Sequence, residues 1–135
     1  MAAQFVPRQL ELKDIGDVTV ARFTDRHLLD QKTLDMIGQQ LFSLVDQTGR
    51  QKLLLDFSHV QDISSLAIGM LVTLKKKLGA VGGKLVLFHM DPEIREMMAV
   101  TQLDTMFIIR GEEQEAFSRV LPTLSVPKRA PRLAG

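Results

Sequence analysis

Two stretches near the start of the chain alternate apolar and polar positions. Leu10-Glu11-Leu12-Lys13 and Val18-Thr19-Val20-Ala21-Arg22-Phe23 both carry the period-two pattern of a half-buried strand. Asp14-Ile15-Gly16-Asp17 between them reads as a turn, so the pair predicts an antiparallel hairpin. After a polar connection over residues 24–30 the period lengthens. Leu34, Ile37, Leu41, Leu44 and Val45 fall on one stripe of a helix starting near Gln31. Asp30 or Thr33 serves as its cap and Thr48-Gly49 as its stop. Residues 52–57 then open with Leu53-Leu54-Leu55, an unbroken run typical of a strand covered on both faces.

From about Ser65 to Leu78 the pattern is helical again, apolar on most sides until Lys75-Lys76-Lys77. These lysines are expected in the last turn, where the helix dipole favours cations, before a stop at Gly79 and Gly82-Gly83. KLVLFH over 84–89 reads as a strand. Asp91-Pro92 supplies an N-cap and a first-turn proline, with Ile94, Met97, Met98 and Thr101 as the buried face of the next helix. MFII over 106–109 reads as a short strand. Glu112, Glu113 and Glu115 open a final helix whose inner stripe is Ala116, Phe117, Val120 and Leu121.

The order β-β-α-β-α-β-α-β-α predicts one α/β domain: a mixed, mainly parallel sheet that begins with a β-hairpin, with helices packed on it. Residues 1–8 read as an N-terminal extension, 9–122 as the domain and 123–135 as a basic, disordered tail. The last eleven residues carry Lys128, Arg129 and Arg132 with two prolines and no acid.

Composition narrows the function classes. The chain has 135 residues, 45% apolar and 24% charged, which suits one globular domain able to bury roughly two-thirds of its unfolded surface. Without cysteine there is no disulfide, thiol nucleophile or thiolate metal site. Seventeen basic and 16 acidic side chains leave a net charge of +1, no broad field for nucleic acid. Tyr and Trp are absent, which leaves little for base stacking or sugar platforms. No apolar run approaches the roughly 20 residues of a membrane span, and the first residues lack the apolar core of a signal peptide. These features lead to the expectation of a cytoplasmic protein.

Enzyme signatures are missing at the level of sequence. Neither the first nor the third strand is followed by a glycine-rich phosphate loop, and there is no HExxH or G-x-S-x-G motif. His27, His59 and His89 show no metal-ligand spacing and read as structural or surface residues, so no metal or other cofactor is expected. Asp56 and Asp62 flank the loop before the second long helix; turn and capping roles fit them better than a divalent cation site. The Ser64-Ser65 pair at that helix start offers one cap and one spare hydroxyl. A spare hydroxyl there suits phosphorylation, because free N–H groups and the positive dipole end can accommodate roughly −1.5 to −2 added charges.

From Leu10 to Leu121 the chain resembles the STAS domain family, the sulphate transporter and anti-sigma factor antagonist family. The resemblance rests on the β-β-α-β-α order, on LLLDFSHV leading to a serine-rich helix start ending in Gly69, on GGKLVLFHMDPEIREMM, and on TQLDTMFII. The family's helix start reads Asp-Ser-Ser-Gly-Leu-Gly, with its first Ser the phosphoacceptor. Anchored on Gly69, the six positions here are Ser64, Ser65, Leu66, Ala67, Ile68 and Gly69, so Ser65 falls on the acceptor position. Ser64 replaces the family's Asp, Leu66 its second Ser and Ala67 its first Gly, whose extra methyl is expected to narrow a kinase's approach.

The resemblance implies an anti-sigma factor antagonist-like module that binds an anti-sigma factor or serine kinase-type regulator. Its implied surface comprises Asp30, Asp56, Ser58, Asp62, Ser64 and Ser65, with phosphorylation at Ser65 or Ser64. The alternatives are an unphosphorylated scaffold subunit of a stress-signalling or lipid-transport complex, and a nucleotide-binding protein using Asp56, Asp62 and Ser65.

Overall fold

The computed structural model describes residues 10–120. The predicted N-terminal extension, the basic tail and Leu121 lie outside them. The hairpin strands are β1 (Leu10–Ile15) and β2 (Val18–Phe23), paired in register from Leu10 opposite Phe23 to Ile15 opposite Val18. Asp14 and Ile15 belong to the strand rather than the turn. Gly16, at φ +63, closes the hairpin in two residues with Asp17, a conformation glycine adopts without a Cβ penalty.

The chain continues through β3 (His27–Leu28), α1 (Gln31–Asp46), β4 (Lys52–Asp56), β5 (Asp62–Ile63), α2 (Ser65–Ala80), β6 (Lys84–Phe88) and α3 (Pro92–Val100). A 3-10 turn at Leu103–Thr105 leads to β7 (Ile108–Arg110) and α4 (Glu113–Val120). The main sheet runs β1-β2-β4-β6-β7, antiparallel at β1-β2 and parallel elsewhere. The strand with the leucine run is its middle member.

Strand alternation explains that run. Leu53 and Leu55 join the larger core with Leu34, Ile37 and Leu41 of α1, Leu71 and Leu74 of α2, and Met98 of α3. Leu54 points the other way, to Val20, Val86 and Phe88 under Ala116 and Val120 of α4. Among the described residues three helices therefore cover one face and α4 the other.

Several boundaries differ from the pattern. β3 and β5 form a separate two-residue parallel pair, too short to leave a period in the sequence. Helix α2 runs past Gly79 to Ala80, and the positive φ of +73 falls at Gly82. Its last turn holds Lys77, whose ammonium lies 2.9 Å from Asp46, while Lys75 and Lys76 sit earlier. Thr101 is exposed, its hydroxyl bonded back to the Met97 carbonyl at 2.8 Å, so it is not part of the buried face of α3. Met106 is exposed and precedes β7 rather than belonging to it.

Candidate functional site

Helix α2 begins where β5 ends, at the carboxyl edge of the parallel strands. Ser64, in extended backbone at φ −103 and ψ 171, is the N-cap. Its hydroxyl accepts from the Ala67 N–H at 3.3 Å and donates to the Leu28 carbonyl at 3.2 Å; its own N–H donates to that carbonyl at 3.0 Å. Ser64 is therefore held from two sides, by the helix it starts and by the β3 segment. Ser65 is the first helical residue and exposed, and its hydroxyl makes no hydrogen bond among the described residues.

The loop ahead of Ser64 is fastened by backbone bonds at both ends. Phe57 N–H donates to Phe88 carbonyl at 2.9 Å, and Gln61 and Asp62 N–H groups converge on the Arg26 carbonyl at 2.7 and 3.1 Å. Val60 between them is buried. Side chains add two clamps. Asp62 on β5 meets His27 on β3 at 2.6 Å, across the directly opposed pair of that short ladder. Asp56, 14% exposed at the end of β4, accepts the Ser58 N–H at 2.9 Å and lies 3.1 Å from His89 Nδ1. His89 holds a left-handed φ of +59 as the chain leaves β6.

Asp30 is the N-cap of α1, two residues beyond the Leu28 that anchors Ser64. Its carboxyl lies below the usual range, first because the Thr33 N–H donates to it and second because of the Thr33 hydroxyl. The predicted residues thus form two groups. Asp30, Asp62, Ser64 and Ser65 meet around β3 and β5, while Asp56 and Ser58 stand with His89 at the ends of β4 and β6. The two histidine partners had no local signal, because His27 and Asp62 are 35 positions apart and His89 and Asp56 are 33 apart.

The departures at the helix start have distinct structural meanings. Ser64 keeps the capping function that an Asp would supply, and removes its charge. Ala67 is fully buried, so its methyl faces the core and does not narrow an approach to Ser65, contrary to the expectation from the sequence. Leu66 is the change that alters the surface: it is 51% exposed beside Ser65. It also rims a shallow groove of about 330 Å³ between α1 and α2, floored by Leu34, Gly38 and Met70. A larger cleft of about 670 Å³ lies elsewhere, between α3 and β7, with Arg95, Glu96, Asp104 and Arg110 on its walls. It contains none of the predicted residues and mixes both charge signs. No group of three or more acidic or histidine side chains suited to a metal ion occurs among the described residues.

Residues 9–116 match the family model described as the STAS domain. The "Putative anti-sigma factor antagonist TM1081 homolog" of Thermotoga neapolitana is 29% identical over 98 residues, 69% of this chain and 87% of that protein. The structure of an anti-sigma factor antagonist from Mycobacterium paratuberculosis superimposes with a TM-score of 0.71 at 22% identity, covering 82% of this chain and 92% of the other. The Bacillus cell fate determinant SpoIIAA in its phosphorylated form gives a TM-score of 0.63 at 20% identity, over 82% of this chain and 97% of the other. At these identities the two structural likenesses bear on the fold.

Proposed function

Because the chain belongs to the STAS domain family, we propose that it acts as an anti-sigma factor antagonist-like interaction module. Its partner is an anti-sigma factor or serine kinase-type regulator, engaged through the surface around Ser65, and phosphorylation of Ser65 releases that partner. The observation that carries this reading is the division of labour between the two serines. Ser64 caps α2, which leaves the Ser65 hydroxyl exposed and, among the described residues, unbonded at the helix start. A phosphoryl group there meets free helix N–H groups and the positive dipole end, so the fold tolerates it. The same charge breaks an interface by repulsion and by the cost of burying it.

Asp56 and Asp62 pair with His89 and His27 and so help fasten the loop ahead of Ser64 that presents this surface. Among the described residues no helix is long and apolar enough to cross a membrane. We place the module in the cytoplasm, acting on transcription through its partner.

Incubation with a serine kinase-type anti-sigma factor of the same genome and ATP, followed by mass spectrometry, tests the reading. Ser65 should gain one phosphoryl group, and Ser65→Ala should gain none. Equal modification of the Ser65→Ala chain sinks the assignment. The exposed Leu66, where the family carries serine, favours a second reading: a fixed scaffold subunit. Unmodified Ser65, together with partner binding unchanged in Ser65→Asp, selects that reading.

A further inference from the structure

The outer edge of β1 carries a pattern that fits a second copy of itself. β1 ends the sheet, with β2 on one side and, among the described residues, no strand on the other. Such an edge offers a row of backbone donors and acceptors, which proteins commonly blunt with a bulge or with charges. Here six consecutive residues pair with β2 without a bulge. The two-residue turn makes Ile15 and Val18 a pair that exchanges both backbone hydrogen bonds, and alternation assigns Lys13 and Glu11 to inward bonding as well. The backbone N–H and C=O groups of Leu10, Leu12 and Asp14 therefore point away from the sheet.

Two such edges meeting antiparallel about a two-fold axis must pair these outward-bonding positions with one another. In the register that sets Leu12 opposite Leu12 of the second copy, Leu10 faces Asp14 and Glu11 faces Lys13, each twice. Sliding the register by two residues sets Glu11 against Glu11 in one direction and Lys13 against Lys13 in the other. Like charges directly opposite are unfavourable and opposite charges favourable. Charge therefore selects one register, and it places Leu12, 52% exposed in the single chain, against its own copy at the axis.

The surrounding charges reinforce that choice. Glu11 already pairs with Arg22, and Lys13 lies 3.6 Å from Glu113. Both side chains stand on the α4 face, so the new contacts complete an alternating row of Arg22, Glu11, Lys13 and Glu113 across the axis.

We propose that the chain forms a two-fold dimer through β1, joining two sheets into one continuous sheet. The proposal does not depend on the role of Ser65.

Sedimentation of the unmodified chain over a concentration series should show a dimer, with mass approaching twice 15.1 kDa. Glu11→Lys leaves cations at both positions and Lys13→Glu leaves acids at both. Each variant alone should dissociate roughly tenfold more readily, and an equimolar mixture should recover a one-to-one heterodimer. Circular dichroism establishes that both variants are folded. Should either fail to fold, Leu12→Cys gives an independent readout, since the chain has no other cysteine. Opposed Cα atoms in a hydrogen-bonded pair lie about 5.5 Å apart, within disulfide reach. This variant should crosslink under mild oxidation faster than Asp14→Cys. A monomer at every concentration, a dimer indifferent to these charges, a mixture that stays monomeric, or equal crosslinking at positions 12 and 14 overturns the proposal.

Discussion

Ser64 and Ser65 carry the same hydroxyl, and the backbone decides what each can do. Ser64 lies outside the helix with extended φ/ψ, so its oxygen reaches the Ala67 N–H; Ser65 is already helical and its side chain points to solvent. Removing the first hydroxyl orphans a helix donor and also loses the bond to Leu28. Ser64→Ala should therefore cost about 1 kcal/mol in urea denaturation, whereas Ser65→Ala should change stability by less than about 0.5 kcal/mol. The reverse order would mean that Ser65 is the cap. From the sequence either serine qualifies, since both precede the apolar pattern; only the spacing from Ser64 to the Ala67 N–H separates them. A second residue-scale test concerns Asp14. Its carboxyl is held below the usual range by Arg50 first and the Thr19 hydroxyl second. A depressed folded pKa gives stability that is full above the unfolded value, near pH 4, and lost as pH falls through the lower folded value. Asp14→Asn should therefore flatten the fall of Tm below about pH 4. An unchanged acid slope would remove Asp14 from the acid response.

Elements of several turns or several alternations were legible because their periods survive in the residues: the Leu34 to Val45 stripe, the hairpin and the leucine run. The β3-β5 pair was not, because two residues have no period and their register depends on contacts between positions 27 and 62. The end of α2 was misplaced for a different reason. Helix interiors tolerate a glycine at a cost of roughly 1 kcal/mol, so Gly79 did not stop it. Packing sets the turn from α2 into β6: a Cβ on Gly83 would stand 2.5 Å from the Gln51 carbonyl oxygen and 3.0 Å from a Leu78 methyl. Gly83→Ala should therefore destabilise by about 1–3 kcal/mol, as overpacking against backbone does. Gly69 is the contrasting case, inside α2 with nothing within 4 Å of an added Cβ. Gly69→Ala should stabilise by about 0.5–1 kcal/mol. If it also weakens regulator binding, Gly69 contributes space at the surface beside the α1-α2 groove rather than flexibility within the helix.

At the scale of the molecule, the sheet divides the interior unequally, and the sequence does not say which helix takes which side. Among the described residues, twenty-five buried side chains form the layer with α1, α2 and α3, against seven in the layer under α4. Among the described residues α4 is the one helix on its face and packs through Ala116 and Val120, so it should open before the sheet and the other helices do. Native-state hydrogen exchange gives the ordering directly: α4 amides should exchange by a sub-global opening, while the α2 and β4 amides exchange only with global unfolding. Adjacent leucines then separate the layers. Leu54→Ala and Leu55→Ala each remove a fully buried side chain and should each cost about 2–5 kcal/mol. Only Leu54→Ala should widen the gap between α4 and the rest, because Leu54 alone of the two packs under that helix. If both substitutions lowered α4 protection equally, the two layers would be one cooperative unit. A change confined to the Ser65 side would then also be transmitted to the far face.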